Sequence, residues 1–362
     1  MARQHGPQGM NKYRSGNFFE DFRLGMRIAH PTPRTVTLAD QSLYIGLTGS
    51  RAALSSASTV ARRLGLHERP LEDLLVFHIA FGKTVPDISQ NGVANLGYAR
   101  VRFMQPVFAG DTLQVSSEVV GLRQNASGRS GVVYVHSSAA NQHGGIVLDW
   151  VRWVMVHKRD AAAPAPPTHV PALPAAVAVP ELAAGGWSAH AADIASATQV
   201  ADLWEDYAPG ERIEHPGGMT VNESDHSIAT RLYQNTARAH FDAQMMAAQP
   251  HARRLVYGGH VISLCKSLSY DGLENVMTWV AINGGQHVAP TFAGDTLHCA
   301  TEVLELIDLG LPHIGALRLR TIGVKNQPGP AAIEFAEGRE HSPGTVLDID
   351  YTVLMPRRLA NA

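Results

Sequence analysis

Residues Phe108–Leu113 read FAGDTL, and residues Phe292–Leu297 read FAGDTL again. The match extends outward on both sides. Pro106 stands two residues ahead of the first copy and Pro290 two residues ahead of the second. Glu118-Val119 follows the first copy, and Glu302-Val303 follows the second at the same distance. Upstream, Thr35-Val36 and Asp40 correspond to Thr220-Val221 and Asp225. A lone hexapeptide is open to chance. Co-linear flanking matches are much less so, and they mark a tandem duplication of one structural unit.

The boundary between the two units is written in proline. Residues 161–180 read AAAPAPPTHVPALPAAVAVP. Proline fixes φ and lacks a donor, so this stretch predicts an extended, semi-stiff linker. The expected division is therefore 1–160, a linker at 161–180, and 181–362. Glu181 to Ile213 reads as a second lead-in, ordered in part by Trp187 and Trp204.

Each unit has the same coarse order. A segment with helical spacing comes first, Leu38–Leu47 and Asn222–Leu232. An apolar helix follows, within Leu71–Phe81 and Val256–Leu268. In the latter, Val261, Leu264, Cys265 and Leu268 share one helical face. Strand-like runs come last: Leu113–Val120, Gly131–Ser138 and Val147–Val156, then Leu297–Leu306, Ala316–Val324 and Thr345–Leu354. Val133 and Val135, and then Val151, Trp153 and Met155, alternate as half-buried strands do. A long helix followed by antiparallel strands predicts an α+β unit with a sheet around the helix. Two such units can pair edge to edge over one core.

Composition narrows the functional classes. The chain has 362 residues, of which 45% are apolar, enough for a real core in each half. Lys plus Arg number 30 against 32 Asp plus Glu, which gives no electrostatic reason to expect nucleic acid or a membrane surface. With only Cys265 and Cys299, a disulfide framework is not expected, and a reduced, cytoplasmic setting fits. Met1 to Gly16 carries no apolar run of the secretory kind, and no segment reaches the length of a membrane span. Motifs for phosphate loops, dinucleotides, H-E-x-x-H metal sites and paired C-x-x-C are absent. His298 and Cys299 point to opposite faces of an expected strand and make a poor metal pair.

Two segments carry a family resemblance. Pro followed two residues later by FAGDTL resembles the strand–turn segment shared by hot-dog thioester enzymes. Tyr233–Leu264, YQNTARAHFDAQMMAAQPHARRLVYGGHVISL, resembles the hydratase motif of the MaoC-like (hydratase-2) dehydratases. A closer likeness runs through Asn17–Thr37, Pro70–Ser89, Ala94–Leu113, Val151–Asp160 and Gln234–Ala243. These segments resemble the mesaconyl-CoA hydratases, also called β-methylmalyl-CoA dehydratases. The resemblance implies a tandem (double) hot-dog fold. It implies reversible addition of water to mesaconyl-C1-CoA, giving β-methylmalyl-CoA, within acetyl-CoA assimilation or glyoxylate-linked metabolism such as the ethylmalonyl-CoA pathway. It implies an acyl-CoA thioester as partner and neither a metal nor a redox cofactor. Further pairing into a homodimer is an additional expectation.

Hydrating an enoyl thioester needs an acid–base group for water and donors for the enolate oxygen. In the family, an Asp and a His five residues later do the first job, in the form Gly-Asp-x-Asn-Pro-x-His. Laid on this sequence, the His falls on His240 and the Asp on Asn235, while Gln234, Ala237 and Arg238 replace Gly, Asn and Pro. An amide cannot act as a base, although it can orient water. His240 is therefore expected to move the proton alone or with a carboxylate, of which Asp242 is the nearest in sequence. The Gly258-Gly259 pair corresponds to the glycine that opens the central helix. Its N–H groups at a helix N-terminus are the oxyanion-hole candidates.

The first half has Ser50 and Ser55 at the Asp and His positions, and its helix is expected to begin near Phe77-His78. It therefore reads as a non-catalytic, pocket-forming copy. His78 on that helix reads as a packed core histidine. For the substrate's distal carboxylate, Arg51, Arg238, Arg253 and Arg254 are candidates. Asp111 and Asp295 read as turn formers. Alternatives to the leading reading are a hydratase for mesaconyl-C4-CoA or a simple enoyl-CoA, a thioesterase, and a non-catalytic acyl-CoA-binding protein.

Overall fold

The computed structural model describes residues 15–184, 192–335 and 341–358. The first half runs β1 (Arg27–Thr35), α1 (Leu38–Thr48), α2 (Ala53–Ser56), α3 (Ser58–Arg63) and α4 (Asp73–Ile88). Four strands follow: β2 (Gly92–Phe103), β3 (Thr112–Gln124), β4 (Ser130–Ala140) and β5 (Ile146–His157). The second half opens with α5 (Ala192–Thr198), β6 (Arg212–Glu214) and β7 (Met219–Thr220). It continues with α6 (Glu223–Leu232), α7 (Ala243–Ala247) and α8 (Gly258–Leu268). It ends with β8 (Thr278–His287), β9 (Thr296–Ile307), β10 (Ile314–Lys325) and β11 (Thr345–Pro356).

All these strands belong to one antiparallel sheet, in the order β1-β3-β4-β5-β2-β8-β11-β10-β9-β6, with β7 on β9. The seam is β2 against β8, where Tyr98 faces Gly285 and Val101 faces Ile282. Joining the two central strands removes two edges that would otherwise be open to aggregation. One buried cluster spans the seam. It takes Leu74, Phe77 and Phe81 from α4, Val261, Leu264 and Leu268 from α8, and sheet residues from both halves.

The repeated hexapeptide makes the same turn twice. The Asp111 carboxylate accepts the Phe108 N–H at 2.8 Å, and the Asp295 carboxylate accepts the Phe292 N–H at 2.9 Å. Gly110 and Gly294 take φ of 100° and 90°, where a side chain would be strained. Leu113 and Leu297 are both wholly buried. Thr35 bonds Thr112 at 2.7 Å, and Thr220 bonds Thr296 at 2.7 Å.

Two expectations need correction. The helix of the first half begins at Asp73, not near Phe77-His78, and continues through Pro86 to Ile88. Leu74, Leu75 and Val76 are all buried, so the apolar packing extends a full turn earlier than the Phe-His pair suggested. In addition, β2 and β8, which form the seam, were not among the expected strands. The proline-rich linker is extended and lies on the protein rather than apart from it. His169 bridges Leu122, and the Val177 N–H donates to Asn283 Oδ1 at 2.9 Å. Trp204 anchors the second lead-in through an Nε1–H bond to the Ala316 carbonyl at 3.0 Å, whereas Trp187 lies outside the described residues. Among the described residues, no helix is long and apolar enough to cross a membrane.

Candidate active site

Chain direction brings the site together from both halves. The α6 helix ends at Leu232, and Gln234 takes a positive φ of 52°, which turns the chain back toward α4. There Gly82 of the first half meets the loop. A Cβ on Gly82 would stand 2.0 Å from the Tyr233 carbonyl oxygen and 3.1 Å from the Asn235 nitrogen. Only a glycine permits this approach, so the first half supports the loop that carries Asn235 and His240.

Asn235 is 3% exposed. Its Oδ1 accepts the Ala237 N–H at 3.0 Å, a local turn that leads into the short 3-10 helix at Arg238–His240. Its Nδ2 finds no hydrogen-bond acceptor among the described residues. His240 follows, half-buried, with its Nδ1–H donating to the Leu255 carbonyl at 3.0 Å. That bond fixes the tautomer and leaves Nε2 with its lone pair. Burial pushes the His240 pKa down to about 4, against the raising effect of the Leu255 bond, so the ring is neutral at pH 7.

His240 packs edge-on against Tyr257, with ring centroids 5.6 Å apart. Tyr257 is the residue before α8 and supplies no side-chain cap. The Gly258 and Gly259 N–H groups have no acceptor among the described residues, whereas those of His260 and Val261 return to the Tyr257 carbonyl. An uncapped N-terminus holds unspent donors and the positive end of the helix dipole. Both glycines are required by their neighbours. A Cβ on Gly258 would meet the His287 ring at 2.5 Å, and one on Gly259 would meet Tyr257 at 2.4 Å and His78 Nδ1 at 2.6 Å.

The surroundings are aromatic and polar, and the buried Lys83 ammonium reaches the loop through Gln234 Oε1 at 2.5 Å. His287 bonds the Tyr98 hydroxyl at 3.1 Å, and burial pushes its pKa to about 4. His78 Nε2 lies 2.9 Å from Ser263 Oγ, which also accepts from Tyr44 at 3.0 Å, and burial holds its pKa well down. The hydroxyls of Tyr233 and Tyr257 and the His78 Nδ1 are buried without partners. This cluster can exchange a proton with water at His240 and offer N–H donors to an oxyanion beside it.

Other predicted residues stand elsewhere. Asp242 caps α7, its Oδ1 accepting the Met245 N–H at 2.8 Å. Arg51 pairs with Asp271 at 2.7 Å and lies over Tyr270, in a separate cavity. Arg253 donates to the Ala293 carbonyl, and Arg254 pairs with Glu223. Arg238 is exposed on the loop that leads to His240. Tyr257, Tyr98, His287 and Gly82 were missed by sequence reasoning. Only Gly82 could have been found, as a glycine inside an otherwise bulky helix. Among the described residues, no group of three or more His, Cys, Asp or Glu is gathered to hold a metal. Cys265 and Cys299 are buried free thiols.

Comparison with known proteins places this architecture. A family profile described as mesaconyl-CoA hydratase matches residues 9–332. A β-methylmalyl-CoA dehydratase from Chloroflexus aurantiacus is 52% identical over 96% of this chain and 99% of its own. A mesaconyl-CoA hydratase from Cereibacter sphaeroides is 50% identical over 96% and 100%. The crystal structure of a MaoC domain dehydratase from Chloroflexus aurantiacus superposes with a TM-score of 0.93 at 52% identity, covering 96% of this chain and all of that one. A double hot-dog protein from Mycobacterium tuberculosis shares the fold at a TM-score of 0.73 and 23% identity, over 94% of this chain and 99% of its own. The double hot-dog architecture and these matches over nearly the whole chain agree: the protein belongs to the mesaconyl-CoA hydratase family.

Proposed function

We propose that this protein reversibly hydrates mesaconyl-C1-CoA to β-methylmalyl-CoA. The observation that carries the reading is His240, neutral and pinned through Nδ1, beside a helix N-terminus with two unspent N–H groups. In this reaction His240 Nε2 takes a proton from water as the water oxygen bonds to the β-carbon. The double-bond electrons shift onto the thioester oxygen, which accepts from the Gly258 and Gly259 N–H groups. The imidazolium then returns the proton to the α-carbon, so that one water is added across one double bond. Developing negative charge on the enolate raises the basicity of the nearby imidazole in the transition state, which offsets the depressed resting pKa. The Asn235 Nδ2 donor orients the water.

In this scheme residues 1–160 form a non-catalytic, pocket-forming half, 161–180 the linker, and 181–362 the catalytic half. The acyl-CoA is substrate and partner, and the reaction consumes only water, with no cofactor. The two buried free thiols support a cytoplasmic setting. A homodimer belongs to the same proposal and is read by light scattering.

The test follows enoyl absorbance and free thiol together, with mesaconyl-C1-CoA, mesaconyl-C4-CoA and crotonyl-CoA. The expected result is loss of enoyl absorbance without thiol release, fastest with mesaconyl-C1-CoA. Thiol release without hydration makes the protein a thioesterase, and no turnover makes it a binding protein.

A further inference from the structure

Arg152 is a buried charge with no carboxylate partner among the described residues. It lies on β5 and is 0% exposed. Its Nη2 donates to Thr84 Oγ1 at 2.8 Å, and its Nη groups reach Ser89 Oγ only at 3.4 and 3.5 Å. The guanidinium carbon sits 4.2 Å over the Phe81 ring. The Nε–H is buried without a partner. Among the described residues, no carboxylate lies within ion-pair distance of Arg152. Most other interior cations do have one: Arg102 with Asp149, Arg318 with Asp350, Arg320 with Asp348, and Lys266 with Glu72 and Asp73. Lys83, the exception, donates to Gln234 Oε1 at 2.5 Å. Burying an unpaired charge is strongly unfavourable, and an arginine cannot escape by deprotonating at neutral pH. Burial pushes its pKa down only to about 10.

Its place connects it to the candidate site. Phe81, under the guanidinium, packs against Tyr257 at 5.9 Å and Tyr98 at 6.1 Å between ring centroids. Tyr257 touches His240 and precedes the Gly258 N–H, and its own hydroxyl is unpartnered. Tyr98 is bonded to His287, against which Gly258 is packed. A continuous set of contacts thus runs from the start of α8 through Tyr257, Tyr98 and Phe81 to the Arg152 guanidinium. The arginines that the sequence suggested for this task are engaged or exposed. Arg51, Arg253 and Arg254 have partners of their own, and Arg238 is on the surface.

We propose that Arg152, with the Tyr257 hydroxyl, binds the free carboxylate of the acyl group and thereby selects a dicarboxylic acyl-CoA over a neutral one. This inference rests on the proposed mesaconyl-C1-CoA activity. In that substrate the carboxylate is attached to the carbon that water attacks, so a cation behind Tyr257 also fixes which carbon faces His240. Arginine suits the task because its planar fork meets a carboxylate with two parallel bonds.

The experiment compares mesaconyl-C1-CoA with tiglyl-CoA, in which a methyl group replaces the carboxylate. Wild type, Arg152→Met and Arg152→Lys are assayed for kcat/KM with both, alongside thermal melts. Arg152→Met is expected to lose about a hundredfold with mesaconyl-C1-CoA. It is expected to keep tiglyl-CoA turnover within about threefold of wild type, because that acyl group has no charge to lose. Arg152→Lys, which keeps the charge without the fork, is expected to fall between the two with mesaconyl-C1-CoA only. Equal losses with both substrates, or an unchanged ratio in the two variants, overturn the role of Arg152. A wild type that leaves mesaconyl-C1-CoA untouched overturns the proposed function, and this inference with it. If Arg152→Met does not fold, Arg152→Lys and its substrate ratio decide.

Discussion

The two halves build the same site twice and fill it differently. In the second half, the loop after α6 presents Asn235 and His240 to a helix that opens on Gly258 with its N–H groups unspent. In the first half, the segment after α1, which includes the short helix α2, presents Ser50 and Ser55 to a helix that opens on Asp73. Both serines donate to the buried Glu72 carboxylate, at 2.5 and 2.8 Å. Lys266, from the other half, closes the group on Glu72 at 2.8 Å and on Asp73. Asp73 also accepts the N–H of Leu74 at 2.6 Å and of Trp279 at 2.9 Å. A helix N-terminus that attracts anions is thus occupied by the chain's own carboxylates. A cavity of about 100 Å³ lies here, lined by Lys266, Trp279 and Tyr351 among others. This cavity and the candidate reactive groups are therefore in different places. The candidate site is marked by its unspent donors and free imidazole rather than by volume.

The comparison breaks most sharply at the paired positions His240 and Ser55. His240→Ala is expected to lower kcat for hydration by about 10²- to 10⁴-fold, the usual worth of a positioned acid–base group. Ser55→Ala is expected to leave kcat unchanged. Steady-state kinetics on both variants checks this. Comparable losses would mean that the first half takes part in the chemistry.

The next largest effect inverts the comparison. Lys266→Met leaves Glu72 and Asp73 buried, close together and without their cation. Burial alone pushes the Glu72 carboxyl up, and the Lys266 ammonium with the two serine hydroxyls brings it below the usual range. Removing one partner of such a buried group costs about 3–5 kcal/mol. Urea unfolding should read that loss, while kcat per folded molecule stays near wild type. A stable but inactive Lys266→Met would move catalytic weight into the first cavity.

How much of this was legible follows from the range of each interaction. The duplicated turn, the helices α1, α6 and α8, and the strands β3, β4, β5, β9, β10 and β11 follow local patterns, so the sequence displays them. The seam strands β2 and β8 do not. β2 slips against β5 between Gly92 and Ala94, Asn95 and Gly97, and Ala99 and Arg102, and β8 meets slips against β11 at Asp350–Tyr351 and Thr352–Val353, which erases the two-residue alternation. The candidate His240 could be named from sequence because its motif is contiguous, and the start of α8 at Gly258 because a glycine pair opens an apolar helix. Arg152, Tyr98 and His287 could not, because they lie on strands far along the chain from that motif. In sequence, Arg152 is one arginine among apolar neighbours. Only the sheet shows that its side is the buried one and that, among the described residues, no acid pairs with it.

The histidines of the shared interior give a smaller, graded effect. Burial lowers the pKa of His240, His260 and His287 to about 4 and holds that of His78 well down. In the unfolded chain each titrates near the usual value of about 6.5. Between those values the unfolded state binds more protons than the native one, so stability falls as pH falls from about 6.5 toward 4. Each such histidine contributes at most about 1.4 kcal/mol per pH unit in that window. Denaturant midpoints measured from pH 7.5 to pH 4.5 should be flat at first and then decline. A midpoint unchanged down to pH 5 would mean that these rings are charged in the native state.

The smallest effect concerns Asp242, the carboxylate closest in sequence to His240. Its Oδ1 accepts the Met245 N–H at 2.8 Å, which makes it the cap of the short helix α7. Losing such a cap costs about 1 kcal/mol. Asp242→Ala is thus expected to lower the unfolding midpoint slightly and to leave kcat within about threefold, since the cap bond is all the carboxylate supplies. Asp242→Asn, which can still accept the Met245 N–H, should recover the stability. The pair separates two roles for one carboxylate. A cap tolerates the amide, whereas a proton-transfer partner of His240 does not. If both variants lose hydration by a hundredfold while folding normally, the carboxylate absent at Asn235 has been supplied from Asp242, and the second half has kept a two-residue acid–base pair in altered form.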